Sequence, residues 1–175
     1  DSAGRIRPIT LTFLPAETNA VPRRYGFGTG GTASSFPEQH MRFADIGLSD
    51  ELLRALSEAG YDEPTPIQAA AIPQVQMMRD IIAIAQTGTG KTASFVLPMI
   101  DVLANGRARA RMPRSLILEP TRELAAQVAE NFEKYGKYHK LSMALLIGGV
   151  QMGDQVKALE KGVDVLIATP GRLMD

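Results

Sequence analysis

The sequence predicts an α/β fold in which a parallel sheet is covered by helices on both faces. From residue 49 onward, short apolar segments alternate with longer segments of helical character. The segments Ile81–Ile84, Leu116–Leu118 and Val163–Ile167 are apolar at nearly every position, which is typical of strands buried on both faces of a parallel sheet. Because the connections are short, we expect each strand–helix–strand unit to cross over in the right-handed sense.

Composition places the chain among ordinary globular domains. Its 175 residues are 45% hydrophobic and 22% charged, and 19 Lys and Arg balance 19 Asp and Glu. A net charge of zero argues against a protein held on nucleic acid by bulk charge, although it allows a local basic patch. The absence of cysteine excludes disulfides, thiolate metal sites and thiol nucleophiles. No segment has the apolar length of a membrane span or a signal peptide, so we expect a cytoplasmic protein without a membrane partner.

Residues 1–40 differ in composition from the rest of the chain, with four of the 11 prolines and five of the 16 glycines. Apolar periodicity in this stretch is confined to Ile9–Leu14, so we expect a flexible leader with at most one short strand. The glycine-rich run Gly26–Thr32 is interpreted as a linker, because no lysine or helix follows it as in a phosphate loop. The partial domain is expected to span residues 41–175, with Met41 as a candidate native start.

Helix and strand signals account for the elements of the domain in chain order. Ser49 can cap a helix that ends at Gly60, and Thr65-Pro66 starts a second helix with proline at its first position. Pro98 lies inside the third helical segment and is expected to bend it. The remaining pattern predicts strands at Ile81–Ile84, Leu116–Leu118, Met143–Ile147 and Val163–Ala168, and helices at Lys91–Leu103, Arg122–Tyr138 and Gln151–Glu160.

The segment Ala85–Thr92 lies between a predicted buried strand and a predicted helix, where a phosphate loop belongs. It reads Ala-Gln-Thr-Gly-Thr-Gly-Lys-Thr, with Ala85 at the position where the general pattern has glycine. The two glycines allow a sharp turn that directs backbone N–H groups at phosphate oxygens, and the following helix adds the positive end of its dipole. Lys91 can reach the β- and γ-phosphates, and the Thr92 hydroxyl can ligate Mg²⁺. The pattern therefore predicts a nucleotide site.

Several ordered segments resemble the motifs of the DEAD-box RNA helicases of superfamily 2. Gly60–Gln68 resembles the Q motif, and Phe43 lies upstream where the family has an isolated aromatic residue. Ala85–Thr92 matches the family's own form of the phosphate loop, Ala-x-Thr-Gly-x-Gly-Lys-Thr. Three further segments resemble motif Ia (Pro120–Ala125), the glycine pair (Gly148-Gly149) and motif Ib (Thr169–Arg172). The resemblance covers residues 43–175 and is nearest the bacterial RhlE-like branch. It implies the N-terminal RecA-like domain of an ATP-dependent RNA helicase.

The resemblance also implies which residues bind the nucleotide, with ATP and Mg²⁺ as cofactors. Gln68 would contact the N6/N7 edge of adenine in a bidentate manner, which suits an amide. Phe43 would cover the base, and the site is expected to prefer ATP to GTP. Lys91 and Thr92 are the implied catalytic residues, with Thr92 as the metal ligand. The full predicted set is Phe43, Tyr61, Pro66, Gln68, Ala85, Gln86, Thr87, Gly88, Thr89, Gly90, Lys91 and Thr92.

Three predicted strand ends carry small residues and arginines at the edge where open α/β sheets bind ligands. Thr121 at one of them can also cap the following helix. Such a rim can follow a sugar–phosphate backbone without reading bases, and the resemblance implies that it holds single-stranded RNA. The predicted RNA-binding residues are Pro120, Thr121, Arg122, Gly148, Gly149, Thr169, Pro170, Gly171 and Arg172. The arginines within residues 107–114 are instead interpreted as part of a solvated loop.

The chain contains no Asp-Glu-Ala-Asp sequence, which in the family supplies the carboxylates that hold Mg²⁺ and position water. We therefore expect a C-terminally truncated fragment with negligible ATPase activity alone. Its full-length protein would unwind short RNA duplexes with the help of a second RecA-like domain. The family's missing strand would lie beside the phosphate-loop strand, so its absence is expected to expose apolar surface and favour aggregation.

Two other interpretations stay open at this point. A different P-loop NTPase, such as a nucleotide kinase or a DNA translocase, would share Ala85–Thr92 but has no reason to carry Gly60–Gln68 or Pro120–Ala125. A non-enzymatic RNA-binding or scaffold domain would fit the missing carboxylates. An Asp-Glu-Ala-Asp sequence downstream of Asp175 would favour the helicase over both.

Overall fold

The computed structural model describes residues 10–15, 41–105 and 112–175. The strands are β1 (Leu11–Pro15), β2 (Ile81–Ala85), β3 (Ser115–Leu118), β4 (Met143–Leu146) and β5 (Val165–Ala168). The helices are α1 (Asp50–Glu58), α2 (Pro66–Gln76), α3 (Lys91–Ala104), α4 (Arg122–Gly136), α5 (Met152–Glu160) and α6 (Pro170–Met174), with a 3₁₀ helix at Phe43–Ile46. No helix in these ranges is long and apolar enough to cross a membrane.

All strand pairings are parallel, as the sequence predicts. One sheet has the order β3-β5-β4, in which Leu116 and Ala144 both pair with Leu166. A second sheet consists of β1 and β2. Since the strands of each sheet run the same way, their carboxyl ends lie along a common edge, where ligands bind in open α/β sheets. The predicted alternation of helices and parallel strands is therefore confirmed.

Strand β1 lies within the segment expected to be a leader, at the place where one short strand is predicted. It pairs with β2 along its whole length, from Leu11 opposite Ile81 to Pro15 opposite Ala85. The backbone N–H of Thr10 also donates to Oδ1 of Asp80 at 2.9 Å. The leader thus contributes a strand beside the one that precedes the phosphate loop, while residues 1–9 and 16–40, with the glycine-rich run, lie outside the described residues.

Helices α3 and α4 form the centre of the core. In α3, Val96, Leu97 and Ile100 are fully buried, and the helix continues past Pro98 to Ala104. The apolar positions of α4 recur at helical spacing, which places one face against the core. These residues form one cluster with the buried side chains of α1 and β5, so helix and sheet share a single main core.

The sheet is not covered equally along its width. All four residues of β5 are buried, as expected for a strand with helices on both faces. Alternate residues of β2 and β3 point to solvent instead, and Ile82 and Ile84 are 74% and 60% exposed. Leu116 and Leu118 are also exposed. The prediction that β2 and β3 are buried on both faces is therefore wrong, because their alternate residues lack a covering helix in the described part of the chain. The aggregation that this apolar surface should favour stays a prediction.

An ion pair joins the amino ends of the three strands β3, β4 and β5. Arg114 donates from Nε and Nη2 to Oδ1 of Asp164 at 3.0 and 2.6 Å, and from Nη1 to the carbonyl of Leu103. Oδ2 of Asp164 accepts from the backbone N–H and the hydroxyl of Ser142. Arg114 is therefore mostly buried and structural, and its assignment to a solvated loop is wrong; Arg107, Arg109 and Arg111 lie outside the described residues.

The carboxyl group of Asp164 is held in its charged form. Burial acts to raise its pKa, but the hydrogen bonds from Ser142 and Arg114 outweigh this and leave the pKa below the usual value. Because the folded-state pKa is lowered, the stabilising contribution of Asp164 is present above the ordinary aspartate pKa of about 3.9. It is lost as the pH falls through the lowered value.

We predict that Asp164→Asn lowers the free energy of unfolding by about 1–3 kcal/mol at pH 7, because it leaves the mostly buried Arg114 guanidinium without its counter-charge. The difference from wild type should shrink below about pH 4, where the wild-type carboxyl is protonated during unfolding. Urea denaturation over a series of pH values measures both effects.

Asp154→Asn is the matched control, because Asp154 pairs with Lys157 and both side chains are about three-quarters exposed. Its effect on unfolding should stay within about 0.5 kcal/mol at every pH. Equal effects of the two substitutions would contradict the structural role of Asp164.

Candidate functional site

The phosphate loop follows the carboxyl end of β2 and leads into α3. Gly88 and Gly90 have φ angles of 81° and 82°, in the left-handed region that glycine enters without strain. Gly90 is also the residue before the first turn of α3. A turn of this kind at the start of a 14-residue helix presents unpaired backbone N–H groups and the positive end of the helix dipole. The loop therefore has the construction of an anion site.

Side chains of the loop are held by its own carbonyls. Nζ of Lys91 donates to the carbonyl oxygen of Ala85 at 2.7 Å, and Oγ1 of Thr89 donates to the carbonyl of Gln86 at 2.7 Å. Lys91 thus lies across the mouth of the loop, where an incoming phosphate oxygen can replace the carbonyl as its acceptor. Thr92 is half-buried in the first turn of α3.

The start of α2 is hydrogen-bonded to the phosphate loop. Oγ1 of Thr65 donates to the carbonyl of Thr89 at 2.8 Å, and Nε2 of Gln68 donates to the carbonyl of Gly90 at 3.2 Å. Oε1 of Gln68 accepts from the backbone N–H of Thr65 at 2.9 Å, which closes a capping box at the helix start. One N–H and one lone pair of the buried amide remain for a ligand.

Close packing against Gln68 is a second constraint that favours glycine at position 90. A Cβ atom at this position would lie 2.3 Å from Nε2 of Gln68 and 3.5 Å from Oγ1 of Thr65. The first distance is far inside van der Waals contact, so a side chain at this position would displace the Gln68 amide from the loop. Gly88 has the same backbone conformation, but a Cβ there would meet no atom within 4 Å.

Phe43 and Tyr61 lie apart from the loop. Phe43 is buried in the main core. Tyr61 is half-exposed and contacts Tyr135 edge-to-face, with Nζ of Lys134 4.8 Å from its ring centre. Both line a cavity of about 540 Å³ that is bounded by Arg42, Ala44, Leu53, Leu56, Ser57, Asp62 and Glu63. The structure thus brings Pro66 and Gln68 to the loop, and a contact of Phe43 or Tyr61 with the nucleotide stays a prediction.

Seven of the nine predicted RNA-binding residues line one open cavity of about 540 Å³ at the carboxyl ends of β3, β4 and β5, whereas Gly149 and Pro170 are not part of its lining. The lining consists of Pro120, Thr121, Arg122, Glu123, Gly148, Thr169, Gly171, Arg172 and Asp175. Oγ1 of Thr121 accepts from the backbone N–H of Leu124 at 3.3 Å, so its predicted cap is present. We call this group of residues the strand-end rim.

The two arginines of the strand-end rim are held differently. Arg122 is exposed, and its Nη1 makes one long hydrogen bond of 3.4 Å to the carbonyl of Gly148. Arg172 donates from Nε to Oε1 of Gln155 at 3.0 Å and from Nη2 to the carbonyl of Val150. Its Nη1 lies 3.5 Å from Oδ2 of Asp175. Both guanidinium groups border the cavity together with the carboxylates of Glu123 and Asp175, so the rim offers cationic donors without a net formal charge.

Two residues that contact these sites, Thr65 and Gln155, were not predicted from the sequence. Thr65 was recognisable as a helix start, but its bond to Thr89 depends on a residue 24 positions away. Gln155 gave no signal in the sequence, because a single polar residue in an amphipathic helix is ordinarily exposed.

The described geometry combines a phosphate loop held by a glutamine-bearing helix with an arginine-bearing strand-end rim. The model of the DEAD/DEAH box helicase family matches residues 65–175, which include both sites. The chain belongs to the DEAD/DEAH box helicase family.

This DEAD-box chain is similar to proteins from distant organisms. It is 48% identical over 133 residues to the ATP-dependent rRNA helicase rrp-3 of Neurospora crassa, a match that covers 76% of the chain and 25% of that protein. It is 43% identical over 134 residues to the ATP-dependent RNA helicase DeaD of Mycobacterium tuberculosis, with 76% and 23% covered. The chain thus spans about a quarter of the length of these curated relatives, and its place in the RhlE-like branch stays a prediction.

A solved structure supports the fold independently. The DEAD box protein from Methanococcus jannaschii superimposes on this DEAD-box chain with a TM-score of 0.70 at 38% sequence identity. The match covers 77% of the chain and 36% of that structure. The predicted RecA-like architecture and the DEAD-box resemblance are therefore both confirmed.

We predict that Gly90→Ala lowers the free energy of unfolding by about 2–5 kcal/mol, the sum of left-handed strain and the loss of the Gln68 and Thr65 contacts. Gly88→Ala is the matched control, because it carries the same strain without the clash, and it should cost about 1–2 kcal/mol. Urea denaturation of the two variants measures the difference. Indistinguishable stabilities would contradict the close packing of α2 on the loop.

Proposed function

We propose that this chain forms the ATP-binding and RNA-binding part of an ATP-dependent RNA helicase. The observation that carries the proposal is the contact of Gln68 with Gly90, which places an amide suited to a base beside a loop suited to phosphates. The proposal is supported by the names of the curated relatives, which include an ATP-dependent RNA helicase and an ATP-dependent rRNA helicase. In the whole protein we expect a second RecA-like domain to complete the site and RNA duplexes to be the substrate.

The phosphate loop would bind the triphosphate of the nucleotide. Backbone N–H groups of residues 86–91 and the ammonium of Lys91 would hold the phosphates. Mg²⁺ would neutralise the phosphate charge, with Oγ1 of Thr92 as its protein ligand. The described ranges contain no group of three or more His, Asp or Glu side chains placed to hold a metal ion, so Thr92 is the one Mg²⁺ ligand that we propose from this part of the chain.

Gln68 accounts for the choice of base. Its amide has one free N–H and one free lone pair after its bonds to Gly90 and Thr65. Adenine presents a donor at N6 beside an acceptor at N7, which matches an amide, whereas guanine presents acceptors at both positions. One of the two bonds is lost with guanine, so ATP should bind more tightly than GTP.

The strand-end rim would form the surface that binds RNA. Its arginines, threonine hydroxyls and glycine backbones offer donors to phosphate and sugar, and it carries no aromatic residue that could select a base. Binding should therefore depend on the backbone and be independent of sequence.

We predict that the wild-type chain binds ATP more tightly than GTP and that Gln68→Ala reduces the ratio of the two affinities toward one. Loss of one hydrogen bond to the base corresponds to a ratio of about 3- to 10-fold. Lys91→Met should weaken both nucleotides together by about 10-fold or more, because it removes a charge from the phosphates. Isothermal titration of the three proteins with each nucleotide in Mg²⁺ measures the six affinities.

Lys157→Met is the control for Lys91→Met, because Lys157 lies exposed on α5 and does not line either cavity. It should retain wild-type affinity for both nucleotides. Equal affinity of the wild-type chain for ATP and GTP would overturn the role of Gln68. Binding unaffected by Lys91→Met would overturn the loop as the nucleotide site.

A further inference from the structure

Helix α5 packs Ala158 and Leu159 against a small hydrophobic cluster but also buries a polar side chain. Its most buried side chain is the polar amide of Gln155, which is 7% exposed, whereas Val156 beside it is 42% exposed. A helix that packs for stability alone buries its apolar residues and leaves its amides in water. A buried amide on this helix therefore needs specific partners, and it has two of them.

Gln155 bridges two parts of the strand-end rim. Nε2 of Gln155 donates to the carbonyl of Ile147 at 3.1 Å, at the end of β4 and just before the glycine pair. Oε1 accepts from Nε of Arg172 at 3.0 Å. Only an amide supplies a donor and an acceptor at this length in a neutral side chain. One residue therefore links the loop after β4 to the arginine that follows β5.

The orientation of Arg172 depends on this link. Arg172 lies in α6, whose five residues are too few to form a stable helix alone. Its side chain is 14% exposed, and Gln155 and Val150 occupy its Nε and Nη2 groups. The contact with Asp175 is the longest of the three, at 3.5 Å, and the Asp175 side chain is exposed. A phosphate can therefore replace Asp175 while Gln155 continues to hold the other side of the guanidinium.

We propose that Gln155 is a positioning residue that orients Arg172 for an RNA phosphate. The proposal rests on the proposed RNA binding by the strand-end rim and assigns a role to a residue that does not itself line that cavity. A free arginine side chain loses rotamer entropy when it binds, and a guanidinium already held at Nε has less of it to lose. Gln155 thus raises affinity through Arg172 and not by contact with RNA.

The test is a double-mutant cycle on the 175-residue chain, with a fluorescein-labelled decauridine as the probe. Fluorescence anisotropy gives the affinities of wild type, Gln155→Met, Arg172→Ala and the double variant at several salt concentrations. We expect Arg172→Ala to weaken binding by about 10-fold and to reduce the salt slope by about 0.7, the value for one phosphate contact. Gln155→Met should weaken binding by about 3-fold or more, and the double variant should bind no more weakly than Arg172→Ala.

The cycle separates positioning from a structural role. Gln127→Met is the control for the substitution itself, because Gln127 is exposed on α4, and it should bind as wild type does. If circular dichroism shows that Gln155→Met is unfolded, Gln155→Asn is the second variant. The asparagine side chain is one methylene too short for its amide to reach both partners. This variant should show the same non-additivity with Arg172→Ala.

The outcomes distinguish failure of the positioning role of Gln155 from failure of RNA binding by the strand-end rim. If the losses of RNA affinity from Gln155→Met and Arg172→Ala are additive, the positioning role of Gln155 is overturned. The same holds if Arg172→Ala weakens RNA binding and Gln155→Met does not. Neither result contradicts RNA binding at the strand-end rim. Unfolding of both Gln155 variants would assign the amide a purely structural role and also overturn positioning. A wild-type chain that does not bind decauridine, or binding unaffected by Arg172→Ala, would overturn RNA binding at this rim and positioning with it.

Discussion

The hydrogen bonds between the start of α2 and the phosphate loop are the constraint on which the site depends. Thr65 and Gln68 bond to consecutive carbonyls of the loop, at Thr89 and Gly90, so the loop is held from outside as well as by its own turn. The contact is possible only because Gly90 lacks a side chain. Under the proposed function the same amide also selects the base, so loop geometry and choice of nucleotide would both depend on Gln68.

The strands β3, β4 and β5 separate stability from ligand binding along their length. At their amino ends, Asp164 joins Arg114 through partly buried hydrogen bonds and Ser142 through exposed ones. At their carboxyl ends, Arg122 and Arg172 lie beside an open cavity and make longer or replaceable contacts. The hydrogen bonds at the amino ends hold the strands together, while the arginines at the carboxyl ends keep donors that a ligand can use. Open α/β sheets bind their ligands at the carboxyl ends of the strands. Both ends belong to the same buried strand, β5.

Local signals predicted most of the fold, and contacts between distant residues explain the rest. Proline at the start of α2 and the glycines of the loop set element boundaries to within about two residues. The bond between Arg114 and Asp164 joins residues 50 positions apart, and no local pattern announces it. The exposure of Ile82 depends on what packs over β2 rather than on β2 itself. Gln155 was missed for the same reason, because its function comes from its partners.

The most direct test of two separate sites on this chain is backbone-amide NMR during titration with a non-hydrolysable ATP analogue and with oligouridine. Our account predicts that the nucleotide shifts the resonances of Thr65–Gln68 and Gln86–Thr92. It predicts that the RNA shifts those of Thr121-Arg122, Gly148-Gly149 and Gly171-Arg172. Nucleotide shifts that leave the loop and α2 unchanged, or RNA shifts that fall outside the strand ends, would contradict it.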